Sequence, residues 1–177
     1  MELWDLYDKD RRPLGRTHQR GLPVPPGAYH LAVIVVILNP KGEVLLTRRA
    51  PEKDACPGWW ENTGGSVLAG ETSLAAITRE LREETGRAAR PEEVTLLLRE
   101  DSRTAPHFDP HAPTPGGPPE ATRYQPREPH AARWAPLADW EAVAGTEGTL
   151  CPARKEEYKQ ELYRRIALYL QGQREFS

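Results

Sequence analysis

Apolar positions along the chain fall into short, separated runs, and their spacing changes from one run to the next. Leu3, Trp4, Leu6 and Tyr7 alternate in part and lead into Asp8-Lys9-Asp10-Arg11. That predicts a strand and a turn, with a small hairpin closing near Thr17. Pro23, Pro25 and Pro26 make 21–27 an irregular linker. His30 to Leu38 is continuously apolar after its first residue and rich in β-branched side chains, the pattern of a strand buried on both faces. Asn39-Pro40-Lys41-Gly42 is turn chemistry, and 43–49 reads as the returning strand. A loop over 50–57 follows, and the run 59–67 crosses the pair Gly64-Gly65.

The period then becomes helical. Leu74, Ile77 and Leu81 fall on one stripe, which predicts a helix over 72–85 stopped by Gly86. Residues 94–99 read as a strand, and 134–143 as a short strand with a helical turn. A second helix is predicted over 154–170, with Tyr158, Leu162, Ile166 and Tyr169 on one face. Between these, eight prolines stand in 105–129, together with Gly116-Gly117. Proline removes ladder donors, so no central strand is expected there. An irregular, mobile excursion is expected instead, open to proteases.

A length of 177 residues is one domain's worth. Lys and Arg total 24 and Asp and Glu total 26, a formal charge of -2. That balance argues against a general nucleic-acid-binding role, yet leaves room for small phosphorylated ligands. The longest apolar run, 31–38, is far too short to span a bilayer, and the acidic N-terminus lacks the features of a secretion signal. Cys56 and Cys151 make no disulfide framework. A cytoplasmic single domain with no membrane association is the expectation, and a homodimer is allowed for.

Chemistry concentrates on the first helix. Glu80, Glu83 and Glu84 lie within about 100° of arc on one side, bordering the apolar stripe. Three like charges that close repel one another. Divalent cations compensate them economically, because hard carboxylate oxygens suit Mg²⁺ or Mn²⁺. A Glu-rich helix is most often just a solvated face. Here the surroundings are more specific: residues 65–86 read G-x5-E-x7-R-E-L-x-E-E-x-G.

This pattern resembles the Nudix box, and the chain is identified by it as similar to Nudix hydrolases. The resemblance implies an α/β/α sandwich round a mixed sheet, and cleavage of a diphosphate linkage in a nucleoside diphosphate derivative or another organic diphosphate. It implies that Glu80, Glu83 and Glu84 bind metal, with the Gly64 carbonyl as a further ligand. Glu71 matches the acid in the loop before the helix, and Arg79 the arginine that orients neighbouring glutamates. Arg87 stands where the family carries an aliphatic residue.

Further segments look like a subgroup related to isopentenyl diphosphate isomerase: E-L-W-D-L-Y-D-K-D at 2–10, Gly15-Arg16, Tyr29-His30-Leu31, L-L-T-R-R-A-P-E-K at 45–53 and P-G-W-W-E-N-T-G-G-S at 57–66. Arg49 and Lys53 match basic positions near the diphosphate in that isomerase, and Trp60 is a candidate for stacking on the substrate. The isomerase carries a stretch resembling N-T-C-C-x-H, with a Cys that moves a proton on carbon. Here the same stretch is Asn62-Thr63-Gly64-Gly65-Ser66-Val67, and Gly transfers no proton.

The reading is a Mg²⁺- or Mn²⁺-dependent hydrolase of a small-molecule diphosphate. Glu83 and Glu84 are its catalytic acids, with Arg79 in support, and Glu128 is a further candidate for the base. An isomerase-like enzyme and a non-enzymatic nucleotide-sensing Nudix domain are the alternatives. His107, Asp109 and His111 form a lesser metal candidate, weakened by Pro110.

Overall fold

The computed structural model describes residues 1–52, 57–99, 107–112, 131–139 and 156–173. Its N-terminal hairpin pairs β1 (Leu3–Tyr7) with β2 (Pro13–Gln19), two residues past the expected end. Asp8 Oδ1 closes the turn by accepting from the backbone N–H of Asp10 and Arg12 at 2.8 and 2.9 Å. A two-stranded hairpin is marginal alone. This one is anchored: Tyr7 and Tyr29 exchange both backbone hydrogen bonds, Leu6 is buried, and the Trp4 ring stacks on His30 with centroids 4.0 Å apart.

β3 (Leu31–Val35) lies at the centre of the domain. It pairs antiparallel with β6 (Thr63–Ser66) and parallel with β8 (His107–Ala112), which in turn meets β7 (Thr95–Leu96). A second sheet sets β4 (Val44–Arg48) between β5 (Trp60–Glu61) and β9 (Ala131–Ala135), all antiparallel. The Leu45 N–H bonded to the Ile37 carbonyl joins the two sheets, and the Asn39 side chain organises the turn between them by accepting from Lys41 and Glu43 N–H. Helix α1 (Ser73–Thr85) and helix α2 (Glu156–Leu170) complete the mixed α/β architecture.

The doubly buried strand pattern has a direct cause. Val33, Val35 and Ile37 pack with Ala76, Ile77 and Leu81 of α1. Val36 and Leu38 pack with Leu162, Ile166 and Tyr169 of α2. Alternate residues thus serve two cores, one on each face. Both predicted stripes are those that bury, although Leu74 stays half-exposed and the Tyr158 side chain lies outside the described residues. Thr72 caps α1 by accepting from the Ala75 N–H at 3.2 Å, and Gly86 ends it in the left-handed conformation at φ 68°.

Contrary to expectation, a central strand does form within the proline-rich segment. β8 carries Pro110 and lies between β3 and β7, with Pro110 opposite Ile34. A proline costs one donor, not a strand. β7 reaches only His111 and Ala112, so it takes no bond from Pro110. The rest of the proline-rich segment, Glu128 included, lies outside the described residues, as do Lys53 and both cysteines. The strand expected over 94–99 is shorter, with only Thr95–Leu96 paired. Among the described residues no helix is long and apolar enough to cross a membrane.

Candidate active site

α1 presents its acids along one edge of β6. Glu84 is buried and its Oε2 accepts from the Gly64 N–H at 3.1 Å. Glu80 lies against Gly65 so closely that a Cβ on residue 65 would overlap its carboxylate. At Gly64 a Cβ would strike the Val33 carbonyl oxygen of the neighbouring strand. The Gly-Gly pair therefore has a physical reason: one glycine admits the adjacent strand, and the other admits an acid.

Arg79 holds the cluster together. Its Nε and Nη2 take both oxygens of Glu71, at 3.0 and 2.9 Å. Its Nη1 donates to Glu80 at 2.7 Å and to Glu83 at 3.2 Å, and Nη2 also reaches the Ser66 carbonyl at 3.0 Å. The Glu71 hydrogen bonds push the Arg79 pKa well above its ordinary value, against the opposing effect of burial. Burial would raise the Glu71 carboxyl, but Arg79 and the Leu68 N–H outweigh it and the net shift is downward. Glu83 is the most exposed of the group at 44%, against 12% for the Glu80 side chain.

Among the described residues, no three His, Cys, Asp or Glu side chains stand at metal-holding spacing as they are. The donor set nonetheless suits a hard divalent cation. Glu80 and Glu83 converge on one cationic nitrogen, so the backbone already directs two carboxylates at a single positive charge.

The other expected site residues are distributed differently. Arg49 forms an ion pair with Glu61 at 2.6 Å, both side chains mostly covered. Trp60 packs against the α2 core, and the guanidinium of Arg133 lies over its ring at 4.6 Å. Trp60 and Glu61 are successive strand residues, so their side chains leave on opposite faces. The structure thus separates Arg49 and Trp60 across the sheet. Arg87 is buried, with its guanidinium 5.6 Å from the Trp134 ring centroid, which accounts for a cation at an aliphatic position. Sequence reasoning missed Glu61 and Arg133, whose roles depend on strand register. It also missed Asp5, which accepts from the Gly70 N–H at 2.7 Å.

The family model of the NUDIX domain matches residues 28–149. The chain belongs to the Nudix family. An uncharacterized Nudix hydrolase from Listeria monocytogenes is 44% identical to this Nudix chain over 87 residues, 49% of the chain and 52% of that protein. An isopentenyl-diphosphate Delta-isomerase from Paenarthrobacter aurescens is 36% identical over 117 residues, 66% of the chain and 59% of that protein. The Nudix chain spans about half the length of the first of these relatives and less than two thirds of the second. A crystal structure from Deinococcus radiodurans superposes with a TM-score of 0.72 at 19% identity, covering 92% of this chain and 98% of that one. The family match and that likeness together bear out the expected Nudix fold.

Proposed function

We propose that this Nudix domain hydrolyses a diphosphate linkage in a nucleoside diphosphate derivative or another small organic diphosphate. The observation that supports this best is the mutual fit of Gly64 and Gly65 with Glu84 and Glu80. It also counts against the isomerase reading. In that resemblance both glycines are cysteines, and here a side chain at 65 would displace Glu80 while one at 64 would strike a strand. This fit favours the acids over a proton-carrying thiol. A nucleotide sensor is disfavoured because it has no need of three costly adjacent acids.

Glu80, Glu83 and Glu84 would hold the divalent cation, Mg²⁺ or Mn²⁺, with the Gly64 carbonyl beside them. When bound, such a cation polarises phosphate oxygens and lowers the pKa of water. Arg79 fixes the carboxylates so that they need not reorganise. Glu83, the most exposed acid, accepts the proton of the attacking water. Arg49 and Lys53 attract the charged substrate, while Trp60, on the opposite face of the sheet against the α2 core, takes no part in holding it. The chain acts in the cytoplasm on a small molecule.

The test is a panel of nucleoside diphosphates, sugar nucleotides, dinucleoside polyphosphates and isoprenoid diphosphates, incubated with millimolar Mg²⁺ or with EDTA. Cleavage at a diphosphate that requires Mg²⁺ is expected. Isomerisation of isopentenyl diphosphate without phosphate release would overturn the proposal.

A further inference from the structure

The loop that carries Glu71 into α1 owes part of its backbone order to a segment outside the family match. The Val67 N–H goes to the Leu31 carbonyl and that of Glu71 to the Leu68 carbonyl. Leu68 donates to the Glu71 carboxylate at 3.0 Å. The two between them go to the N-terminal hairpin: Ala69 to the Leu3 carbonyl at 2.8 Å, and Gly70 to the Asp5 carboxylate at 2.7 Å. Residues 3–19 precede position 28, where the family match begins.

The hairpin is anchored to the body of the domain. It is held by the paired Tyr7–Tyr29 bonds, by buried Leu6 and by the Trp4–His30 stack. Asp5 stands in the middle of a strand, where aspartate is a poor choice on propensity alone. Its carboxylate meets Gly70, which sits at φ 77°. From there the links are short. Gly70 adjoins Glu71, Glu71 takes both sides of the Arg79 fork, and Arg79 holds Glu80 and Glu83.

From this geometry we infer that the hairpin is a working part of the acid site, and that Asp5 is a positioning residue that sets Glu71, and through Arg79 the acids Glu80 and Glu83. The inference rests on the proposed role of those acids in holding a divalent cation. A direct partner of a metal-binding side chain, as Arg79 is to Glu80 and Glu83, is worth about 10–100-fold in metal affinity, and Asp5, acting through it, is worth less. The carboxylate–amide bond is charge-assisted, the stronger kind of hydrogen bond.

Isothermal titration of the full chain with Mn²⁺ tests this. Asp5→Val is expected to weaken Mn²⁺ binding severalfold, while its melting temperature falls by only a few degrees because the better fit of valine to a strand offsets part of the lost bond. Asp5→Asn, whose side-chain oxygen can still accept from Gly70, should recover most of the affinity. Glu2→Ala, which removes only the exposed ion pair with Arg20 on the same hairpin, should leave it unchanged. An unaltered Mn²⁺ affinity in Asp5→Val would overturn the inference and leave the acid site standing. Absence of Mn²⁺ binding by the unmutated chain would instead remove the acid site itself, and the inference with it. Asp5→Ala is the second variant should Asp5→Val not fold. Failure of both to fold would assign Asp5 to stability alone and reject a positioning role.

Discussion

Gly65 and Glu80 occupy one space: the carboxylate of Glu80 lies where a side chain on residue 65 would have to stand. Gly64 is different, since its missing side chain makes room for the carbonyl of Val33. Two adjacent glycines thus serve two purposes, one making room for a carboxylate and the other for a neighbouring strand.

Alanine substitutions should separate them. Gly65→Ala meets first the far end of the Glu80 side chain, which can swing aside without moving backbone, at the cost of its bond to Arg79. The melting temperature should stay within a few degrees while divalent affinity and turnover fall. Gly64→Ala meets backbone, which cannot yield without moving β3. Overpacking of that kind costs about 1–3 kcal/mol, so its melting temperature should drop clearly. Thermal melts and Mn²⁺ titrations of both variants check the contrast.

Arg79 spans Glu71, Glu80, Glu83 and the Ser66 carbonyl with one planar fork. Lysine keeps the charge but cannot reach four acceptors in two directions. Arg79→Lys should therefore lower turnover about 10–100-fold with the fold retained, a loss that steady-state kinetics would show. Turnover near normal would mean that charge alone suffices.

How far the sequence alone reached depended on the range of each interaction. α1 was legible because Ile77, Leu81, the Thr72 cap and the Gly86 stop all lie within one short segment. The acids were legible as a motif for the same reason. β8 was not, because Pro110 argues locally against a strand while pairing with distant β3 decides the outcome. The Asp5–Gly70 bond joins residues 65 apart, and nothing nearby signals it except an aspartate in a strand. Trp60 and Arg49 both looked like substrate contacts, yet strand alternation sends them to opposite faces.

Glu161 supplies a prediction on pH. Arg164 and then Arg165 hold its carboxyl down at about 2, from an ordinary 4.5. A lowered folded-state pKa contributes stability that is complete above 4.5 and is lost as pH falls from 4.5 towards 2. The side chain is a third exposed, so solvent screening keeps the effect small. Glu161→Gln should melt about 1–2 °C below the unmutated chain at neutral pH. That gap should close as melts are repeated down towards pH 2. A gap that persists at low pH would mean that charge is not its source.

Divalent metal should stabilise the fold by relieving repulsion among Glu80, Glu83 and Glu84. At 100 times its Kd a bound cation adds about 2.7 kcal/mol. Melts in EDTA and then in millimolar Mg²⁺ should differ by several degrees. Coincident midpoints would show that the acids form no site.

The most direct measurement is the turnover of Glu83→Gln on whichever diphosphate the unmutated chain cleaves with Mg²⁺. Glutamine keeps the volume and removes the charge from the most exposed acid of the cluster. The expected result is a kcat lower by several orders of magnitude, with an unchanged melting temperature in EDTA. A kcat near that of the unmutated chain would contradict the assignment of diphosphate hydrolysis to these acids.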